Sequence, residues 1–246
     1  TASSIGDEPF QFYSKFSNIQ VAVDANRKNG IENLLQLSNK PDVILLDDAY
    51  QHRKVKAGFY ILLTAFDDLF CDDYILPFGN LREPSSGKKR ADMIIVTKCP
   101  KDLSEIAQQK IKEKFKVKQP VFFTTIQYDD CIFGNDSQLL VSEIQSESKV
   151  LVAGIAKPKL FFDFLKNEKD DTLVFPDHHH FSKQDCEQIL AKANGRKIIT
   201  TEKDFVRLNG LLPKEQLFYL SIKSTFLNKN IDKTIEDYVG QSTRNS

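Results

Sequence analysis

The chain has 246 residues, which is enough for one large α/β domain or two smaller ones. Its 34 Lys and Arg residues balance 34 Asp and Glu residues, so no net charge favours binding to nucleic acid or to an anionic membrane. No apolar run reaches the roughly 18 residues that a membrane-spanning helix needs, and no signal peptide opens the sequence. We therefore expect a soluble chain whose membrane contact, if it has one, is peripheral or lies outside these residues.

The four cysteines are scattered along the chain, with no CxxC pair and no Cys/His cluster. This spacing excludes the usual zinc signatures and is typical of reduced thiols in a cytosolic protein. Burial as small hydrophobic side chains is the default expectation for all four, Cys71, Cys99, Cys131 and Cys186.

Apolar runs alternate with helix-forming stretches along the sequence. The predicted strands are Ile19–Val23, Val43–Leu46, Gly58–Thr64, Met93–Thr97, Val121–Thr125, Val150–Ala153, Thr172–Phe175, Lys197–Thr200 and Leu217–Ile222. The predicted helices are Ala25–Leu37, Leu103–Phe115, Pro158–Leu165 and a helix that Ser182 caps and that ends at Ala193. This alternation favours an α/β fold with a mostly parallel, doubly wound sheet. A polar passage at 135–149 predicts two units, residues 1–148 and a second, smaller α/β unit at 149–246.

Two adjacent carboxylates, Asp47 and Asp48, follow the apolar run Val43–Leu46. The run is typical of a strand that is buried on both faces of a parallel sheet. Open α/β sheets bind their ligands at the carboxyl ends of such strands, and Mg2+ takes oxygen ligands. The pair therefore indicates a metal–nucleotide site, with a solvated Asp-Asp turn as the alternative. Gln51, His52 and Arg53 come next and offer phosphate or sugar contacts.

Two further charged motifs are weaker when taken singly. Asp7 and Glu8 precede Pro9, so they are expected at the start of a helix, where carboxylates also occur for dipole reasons alone. Arg82 and Glu83 lie in a long irregular segment at 67–90, and loops of that length are usually functional or disordered. Arg82 could hold a phosphate, and Glu83 could bind a metal or orient Arg82; a solvated charged loop is the alternative.

The run Phe175–Phe181 contains three consecutive histidines, His178 to His180. They cannot all face one metal ion. An Asp before a His can orient an imidazole, and a His can tune a distant carboxylate base. A surface turn is the plain alternative, and a metal site ranks behind both. A second polar set, 200–204, follows the strand predicted at Lys197–Thr200.

Seven runs together resemble the tetraacyldisaccharide 4'-kinase family, in a spelling similar to its Bacteroidetes-type members. The runs are Gly6–Pro9 (GDEP), Leu45–Arg53 (LLDDAYQHR), Leu81–Pro84 (LREP), Arg90–Pro100 (RADMIIVTKCP), Val152–Pro158 (VAGIAKP), Phe175–Phe181 (FPDHHHF) and Thr200–Leu208 (TTEKDFVRL). The resemblance implies a P-loop-NTPase-like fold in which residues 1–148 belong to the nucleotide-binding kinase domain. It also implies phosphorylation by ATP and Mg2+ of the 4'-hydroxyl of a tetraacyldisaccharide 1-phosphate, a lipid A precursor. The expected location is the cytoplasmic face of the bacterial inner membrane, by peripheral contact, with no nucleic acid as partner.

The resemblance assigns roles to individual residues. Asp7 matches the carboxylate that takes the 4'-hydroxyl proton, and His178 matches the histidine paired with it, so we expect the two to meet across a cleft between the units. The residues assigned to Mg2+ are Asp47, Asp48, Glu83 and Glu8; those assigned to ATP are Arg82 and Lys98; those assigned to the lipid substrate are Gln51, His52 and Arg53. Phosphoryl transfer needs little else from a protein than such a base, a metal and cationic contacts.

The family pattern is incomplete in one respect. The family carries a GxxxxGK[ST] loop and an amino-terminal membrane-associated helix ahead of the GDEP run, and the 246 residues contain neither. The GKK sequence at 87–89 does not supply the loop, because the motif needs Gly at the position of Arg82 and Ser or Thr at that of Lys89. We therefore expect this chain by itself to be an inactive fragment of the full enzyme. The alternative is a non-catalytic binding or assembly module.

Overall fold

The protein is described by a computed structural model that covers residues 2–227, 235–238 and 240. It packs as two compact units. Unit 1 consists of Thr1–Val23 and Tyr128–Lys223, and unit 2 consists of Asp24–Gln127 and Ser224–Ser246. This division differs from the boundary predicted at residue 148, because the amino-terminal segment belongs to the same unit as the carboxyl half of the chain.

Unit 2 is built on a parallel three-strand arrangement. Its elements are α3 (Arg27–Leu35), β1 (Ile61–Ala65), a 3₁₀ helix (Ser85–Arg90), β2 (Met93–Thr97), α4 (Glu105–Phe115) and the first half of β3 (Val121–Phe133). Strand β2 lies between β1 and β3 and pairs in parallel with both. Its apolar side chains are buried on both faces, which is why a continuous run of Ile and Val suits this position.

Unit 1 contains the remaining elements. They are α1 (Ala2–Ile5), α2 (Asp7–Lys15), the second half of β3, β4 (Gln138–Leu140), α5 (Val141–Ile144), β5 (Val150–Ala153), α6 (Lys159–Leu165), β6 (Asp171–Val174), α7 (Lys183–Ala193), β7 (Ile198–Thr201), α8 (Glu202–Leu208) and β8 (Leu217–Phe226). The strand order is β3-β8-β7-β5-β6, and β4 pairs antiparallel with β3. The β5–β6, β5–β7 and β7–β8 pairs are parallel, so the predicted mostly parallel α/β class is confirmed.

Helix α7 begins where its sequence predicts. The Ser182 side chain accepts a hydrogen bond from the Asp185 backbone N–H, and the Asp185 carboxylate accepts one from the Ser182 backbone, which completes a capping box. The strand β5 is buried along its whole length and fills the centre of unit 1 between β6 and β7. These strong local signals explain why the predicted bounds match here.

Two predicted strands are wrong. Ile19–Val23 and Val43–Leu46 have no strand geometry, and neither pairs with another strand within the described residues. The Leu45 side chain is 90% exposed. A buried strand needs neighbours that satisfy its backbone groups, and an apolar run cannot provide these neighbours by itself.

Two further expectations concern the burial of the cysteines and the absence of a membrane-spanning helix. All four thiols are free; Cys99 and Cys186 are buried, whereas Cys71 and Cys131 are only partly buried. Burial raises the pKa of the Cys99 thiol to about 11, as expected for an unreactive core cysteine. No helix in the described part of the chain is both long and apolar enough to cross a bilayer.

Candidate active site

The motif residues gather into two groups of charged side chains, one in each unit. We call the group in unit 1 the histidine cluster; its members are Asp177, His178, Lys203, Asp204 and Arg207. We call the group in unit 2 the arginine cluster; its members are Asp48, Arg53, Arg82, Glu83 and Arg90. The histidine cluster combines the segment that follows β6 with residues of α8, and the arginine cluster combines residues 48–53 with residues 82–90.

His178 lies in the turn that follows β6. Its backbone has a φ of 58°, a left-handed conformation that is uncommon for a residue other than Gly and is often kept at functional sites. The Asp177 carboxylate accepts a hydrogen bond of 3.0 Å from the His178 backbone N–H. The Lys203 Nζ lies 3.0 Å from His178 Nε2 and 3.6 Å from Asp177 Oδ1. The imidazole therefore has a fixed cationic neighbour.

Helix α8 supplies three members of this cluster, Lys203, Asp204 and Arg207. Thr201 caps the helix by accepting a hydrogen bond from the Asp204 backbone N–H. Asp204 is fully buried, and its Oδ2 accepts hydrogen bonds of 2.8 Å from the Gly154 N–H and from the Thr201 hydroxyl. The other oxygen of Asp204 lies 3.7 Å from Arg207 Nη1. Arg207 also contacts the turn that follows β6, because its Nη2 lies 3.5 Å from His178 Nδ1.

The other two histidines differ from His178. The His179 ring stacks on Phe175 and meets Phe181 edge-on, and its Nε2 lies 3.0 Å from Asp185 Oδ2. Hydrogen bonds from Ser182 and from His179 lower the pKa of Asp185 to about 2. His179 is therefore held in the helix cap, whereas His180 is exposed. Of the three consecutive histidines, His178 is the one whose ring contacts the cations of α8.

Helix α2 begins at Asp7, as the GDEP run predicts. The Asp7 side chain lies outside what the structure describes, and Glu8 is exposed. Helix α2 is tied to α8 through Lys15, whose Nζ lies 2.9 Å from the Glu202 carboxylate. Asp7 and His178 belong to the same compact unit. The expectation that they come from different units is therefore wrong, because residues 1–23 pack with the carboxyl half of the chain.

Glu83 is the centre of the arginine cluster. Arg90 binds both of its oxygens, at 2.8 Å and 3.0 Å, and Arg53 binds Oε2 at 3.0 Å. These guanidinium groups, Arg90 first, lower the pKa of the Glu83 carboxyl, so this carboxylate is ionised. The Arg90 guanidinium also lies over the Tyr50 ring, at 4.7 Å. Both carboxylate oxygens of Glu83 are thus already engaged by cations.

Asp47 and Asp48 form a turn that is open to solvent. Asp48 has a left-handed φ of 43°, and its carboxylate lies 2.9 Å from Arg82 Nη1. No hydrogen bond or ion pair engages the Asp47 side chain in the part of the chain that is described. Gln51 is exposed; His52 is partly buried, and its Nε2 is a buried atom with no hydrogen-bond partner among the described residues. A buried polar atom without a hydrogen-bond partner is energetically costly.

Lys98 comes directly after β2, in a left-handed conformation with a φ of 59°, and it is exposed. It therefore stands at the carboxyl end of a central parallel strand, where α/β sheets bind ligands.

The carboxylates assigned to Mg2+ differ in how well they suit this ion. The described residues contain no group of three or more His, Cys, Asp or Glu side chains that could together hold a metal ion. Mg2+ commonly keeps several waters and takes one or two carboxylates together with substrate phosphates. Asp47 and Asp48 fit that requirement, because one is unengaged and the other is in a single exposed ion pair. Glu83 fits less well as a direct ligand, since arginines hold both of its oxygens.

Comparison with known proteins decides the family. The tetraacyldisaccharide-1-P 4'-kinase (LpxK) family model matches residues 1–240. The chain belongs to this family.

Similar kinases and a similar structure support the assignment. A tetraacyldisaccharide 4'-kinase from Flavobacterium johnsoniae is 61% identical over 245 residues, which are 98% of this chain and 72% of that protein. One from Bacteroides fragilis is 42% identical over 272 residues, covering 99% and 71%. A crystal structure of LpxK from Aquifex aeolicus, described as an "apo" form in complex with ATP, has a TM-score of 0.67 at 25% identity and covers 96% and 69% of the two chains. The predicted family, the P-loop-NTPase-like fold class and the phosphotransferase class are thereby confirmed.

Sequence reasoning assigns no individual role to three residues of this 4'-kinase family member that contribute to the histidine cluster. Lys203 and Asp204 lie within the polar set at 200–204, and Arg207 lies three residues beyond it. Their spacing contained the available signal. Residues 203 and 207 are four apart and share one helix face if a helix starts directly after β7, as α8 does.

Proposed function

We propose that this protein transfers the γ-phosphoryl group of ATP to the 4'-hydroxyl of a tetraacyldisaccharide 1-phosphate, a precursor of lipid A. The observation that carries the proposal is the family match over residues 1–240, which includes all seven motif runs. The 61% identical protein from Flavobacterium johnsoniae is named for this reaction. The location that goes with it is peripheral, at the cytoplasmic face of the inner membrane, with the lipid precursor as partner and no nucleic acid.

The two catalytic assignments are Asp7 and His178. Asp7 accepts the proton of the 4'-hydroxyl, and His178 orients that carboxylate and keeps it ionised. The location of both residues in unit 1 supports this role, as does the contact of α2 with α8, the helix whose Lys203 bonds to His178. A positioned base of this kind typically contributes about 10²–10⁴-fold to the rate.

The nucleotide is assigned to residues of unit 2; Glu8 of α2 remains a predicted metal ligand. Asp47 and Asp48 hold Mg2+, which neutralises charge on the transferring phosphoryl group when it is bound. Arg82 and Lys98 bind the phosphates, because a guanidinium and an ammonium are the cations that proteins use for this purpose. Glu83 is assigned to the metal set and also holds Arg53 and Arg90 in place. Gln51, His52 and Arg53 bind the sugar and phosphate groups of the lipid.

An assay of phosphoryl transfer tests the proposal. The protein expressed from its complete gene is incubated with ATP, Mg2+ and a tetraacyldisaccharide 1-phosphate, and the lipid product is analysed by mass spectrometry for a second phosphate at the 4'-position. His178→Ala is the inactive reference, and His180→Ala, the exposed neighbour, is its matched control. Transfer to a different acceptor with none to this lipid would overturn the assignment.

A further inference from the structure

The ring nitrogens of His178 have unlike surroundings. Lys203 Nζ lies 3.0 Å from Nε2, a normal hydrogen-bond distance. Arg207 Nη2 lies 3.5 Å from Nδ1, at the limit of a hydrogen bond. Among the described side chains, Asp177 supplies the carboxylate nearest the ring, with Oδ2 3.8 Å from Nε2 and Oδ1 3.6 Å from Lys203 Nζ. Among the side chains that the structure describes, the closest polar contact of the ring is therefore a lysine ammonium, not a carboxylate.

A lysine ammonium has three N–H donors and no acceptor. The bond of 3.0 Å to Lys203 therefore needs a lone pair on Nε2. A neutral imidazole has one donor and one acceptor nitrogen, so the ring hydrogen must then be on Nδ1. The opposite tautomer would place an N–H against the ammonium at 3.0 Å, whereas the first places an N–H near Arg207 at 3.5 Å. The shorter contact decides between them.

Neighbouring side chains hold Lys203 beside the His178 ring. The Asp177 carboxylate accepts a hydrogen bond from the His178 backbone and attracts Lys203, so one side chain holds both partners. Arg207 donates to the His179 carbonyl at 3.4 Å, which ties the next residue of the turn to α8. Arg207 is in turn paired with the buried Asp204. The left-handed backbone of His178 is thus flanked by two hydrogen bonds, one from its own N–H to Asp177 and one from Arg207 of α8 to the next carbonyl.

We propose that Lys203 is a positioning residue that fixes the tautomer of His178, with Nε2 as acceptor and Nδ1–H as the donor left for a carboxylate partner. The consequence for catalysis rests on the proposed function, in which His178 orients the Asp7 carboxylate. In that reaction the hydrogen offered to Asp7 is the one on Nδ1. Without Lys203 the ring hydrogen can move to either nitrogen, and only part of the molecules retains the productive arrangement.

Nitrogen NMR of the histidine side chains tests the tautomer directly, without substrate. The ¹⁵N-histidine-labelled protein is measured at about pH 8, above the ordinary imidazole pKa of about 6.5. The chain has 4 histidines, and the resonances of His178 are those that disappear in His178→Gln. We expect a lone-pair nitrogen at ε2 and a protonated nitrogen at δ1 in the native protein. Lys203→Met should shift His178 to a mixture of tautomers, whereas Lys203→Arg, which still donates, should retain the native signals.

The matched control is Lys183→Met. Lys183 is an exposed lysine of α7 that pairs with Glu187, so its loss removes a charge from the same unit without touching His178. A native protein with its hydrogen on Nε2, or an unchanged tautomer in Lys203→Met, would overturn the proposal. If Lys203→Met alone fails to fold, the proposal is still tested. The tautomer of the native protein decides it, and Lys203→Arg keeps the charge and the donor.

Kinetics provide the second arm. Misplacing a catalytic group can cost on the order of 10²-fold, so Lys203→Met should lower kcat by about that factor with little change in KM for ATP. Lys203→Arg should lose much less. If no variant and no native protein transfers phosphate to the lipid, the proposed function fails while the NMR result still decides the tautomer. If transfer occurs and the tautomer is not the one expected, only the role of Lys203 is wrong.

Discussion

Charged pairs in the two units differ in their exposure to solvent. In unit 1 the Lys149–Asp170 pair has side chains that are 1% and 0% exposed, and Asp204 is fully buried beside Arg207. In unit 2 the Asp48 and Arg82 side chains are 69% and 61% exposed. Buried charges must be paired and hydrogen-bonded, so they hold their surroundings in one arrangement. Exposed charges stay hydrated and can change partners, which suits a site that binds and releases a phosphate. The comparison predicts that changes in unit 1 affect geometry and stability, and that changes in unit 2 affect ligand binding.

The largest effect is expected at the catalytic pair of unit 1. Asp7→Ala and His178→Ala should each lower kcat by about 10²–10⁴-fold, because each removes part of one base, and should change KM much less. Since residues that act together are not additive, the double variant should cost little more than the worse single one. His180→Ala, next along the chain and exposed, should be near the native rate. Multiplicative losses in steady-state kinetics would refute the pair.

Breaking the buried pair of unit 1 should have the largest effect on stability. Asp170→Ala leaves Lys149 buried without its partner, which typically costs about 3–5 kcal/mol in free energy of unfolding. Asp163→Ala is the matched control, because it removes the carboxylate of an exposed pair with Lys159 on α6 and should cost less than about 1 kcal/mol. Urea unfolding of both variants measures the difference. Equal losses would show that burial does not separate these two pairs.

Glu83 is the one well-shielded carboxylate of the arginine cluster, with a side chain that is 14% exposed. A Cβ at Gly87 would lie 2.7 Å from the Glu83 carboxyl carbon, so Gly87→Ala should push the carboxylate away from its arginines. We expect a loss of about 1–3 kcal/mol in unfolding free energy and a raised KM for ATP. In a Glu83→Ala background the same substitution should cost little, because the obstructing carboxylate is gone. Additive losses in this double-mutant cycle would contradict the contact.

A smaller effect concerns pH and the cap of α7. The pKa of Asp185 is about 2 in the folded protein, against 3.8 for the free side chain. Because the folded pKa is the lower one, the stabilisation is complete above pH 3.8 and is lost as the pH falls toward about 2. Asp185→Asn should therefore be less stable than the native protein at neutral pH, and the difference should shrink across that window. Unfolding curves over a pH series measure it; a constant difference down to pH 2 would contradict the assignment.

The smallest effect on stability is expected at the exposed pair of unit 2. Arg82→Ala should change the free energy of unfolding by less than about 1 kcal/mol, because surface ion pairs contribute little. Its KM for ATP should nevertheless rise if Arg82 binds a phosphate. Denaturation and steady-state kinetics on one preparation give both values. A stability loss as large as that of Asp170→Ala would break the comparison between the units.

Local signals explain which elements could be predicted from the sequence. Met93–Thr97 and Val150–Ala153 were predicted with the bounds they have, because each is a short apolar run with neighbouring strands on both sides. Helix α7 was predicted from its Ser182 cap. Val43–Leu46 has equally apolar residues and is not a strand, because strand formation also requires partners that local sequence does not specify.

The sequence by itself determined the family, the α/β class, and the positions of the carboxylate, arginine and histidine motifs, because these depend on residue types in a fixed order. Only the tertiary structure decided what each motif residue contacts. It placed His179 in a helix cap and His178 against Lys203, although the two histidines are adjacent in the chain. It engaged both oxygens of Glu83 with Arg53 and Arg90, and it assigned Asp7 to the unit of His178. These outcomes depend on hydrogen bonds and ion pairs between segments far apart in sequence, and such contacts form only when the chain packs.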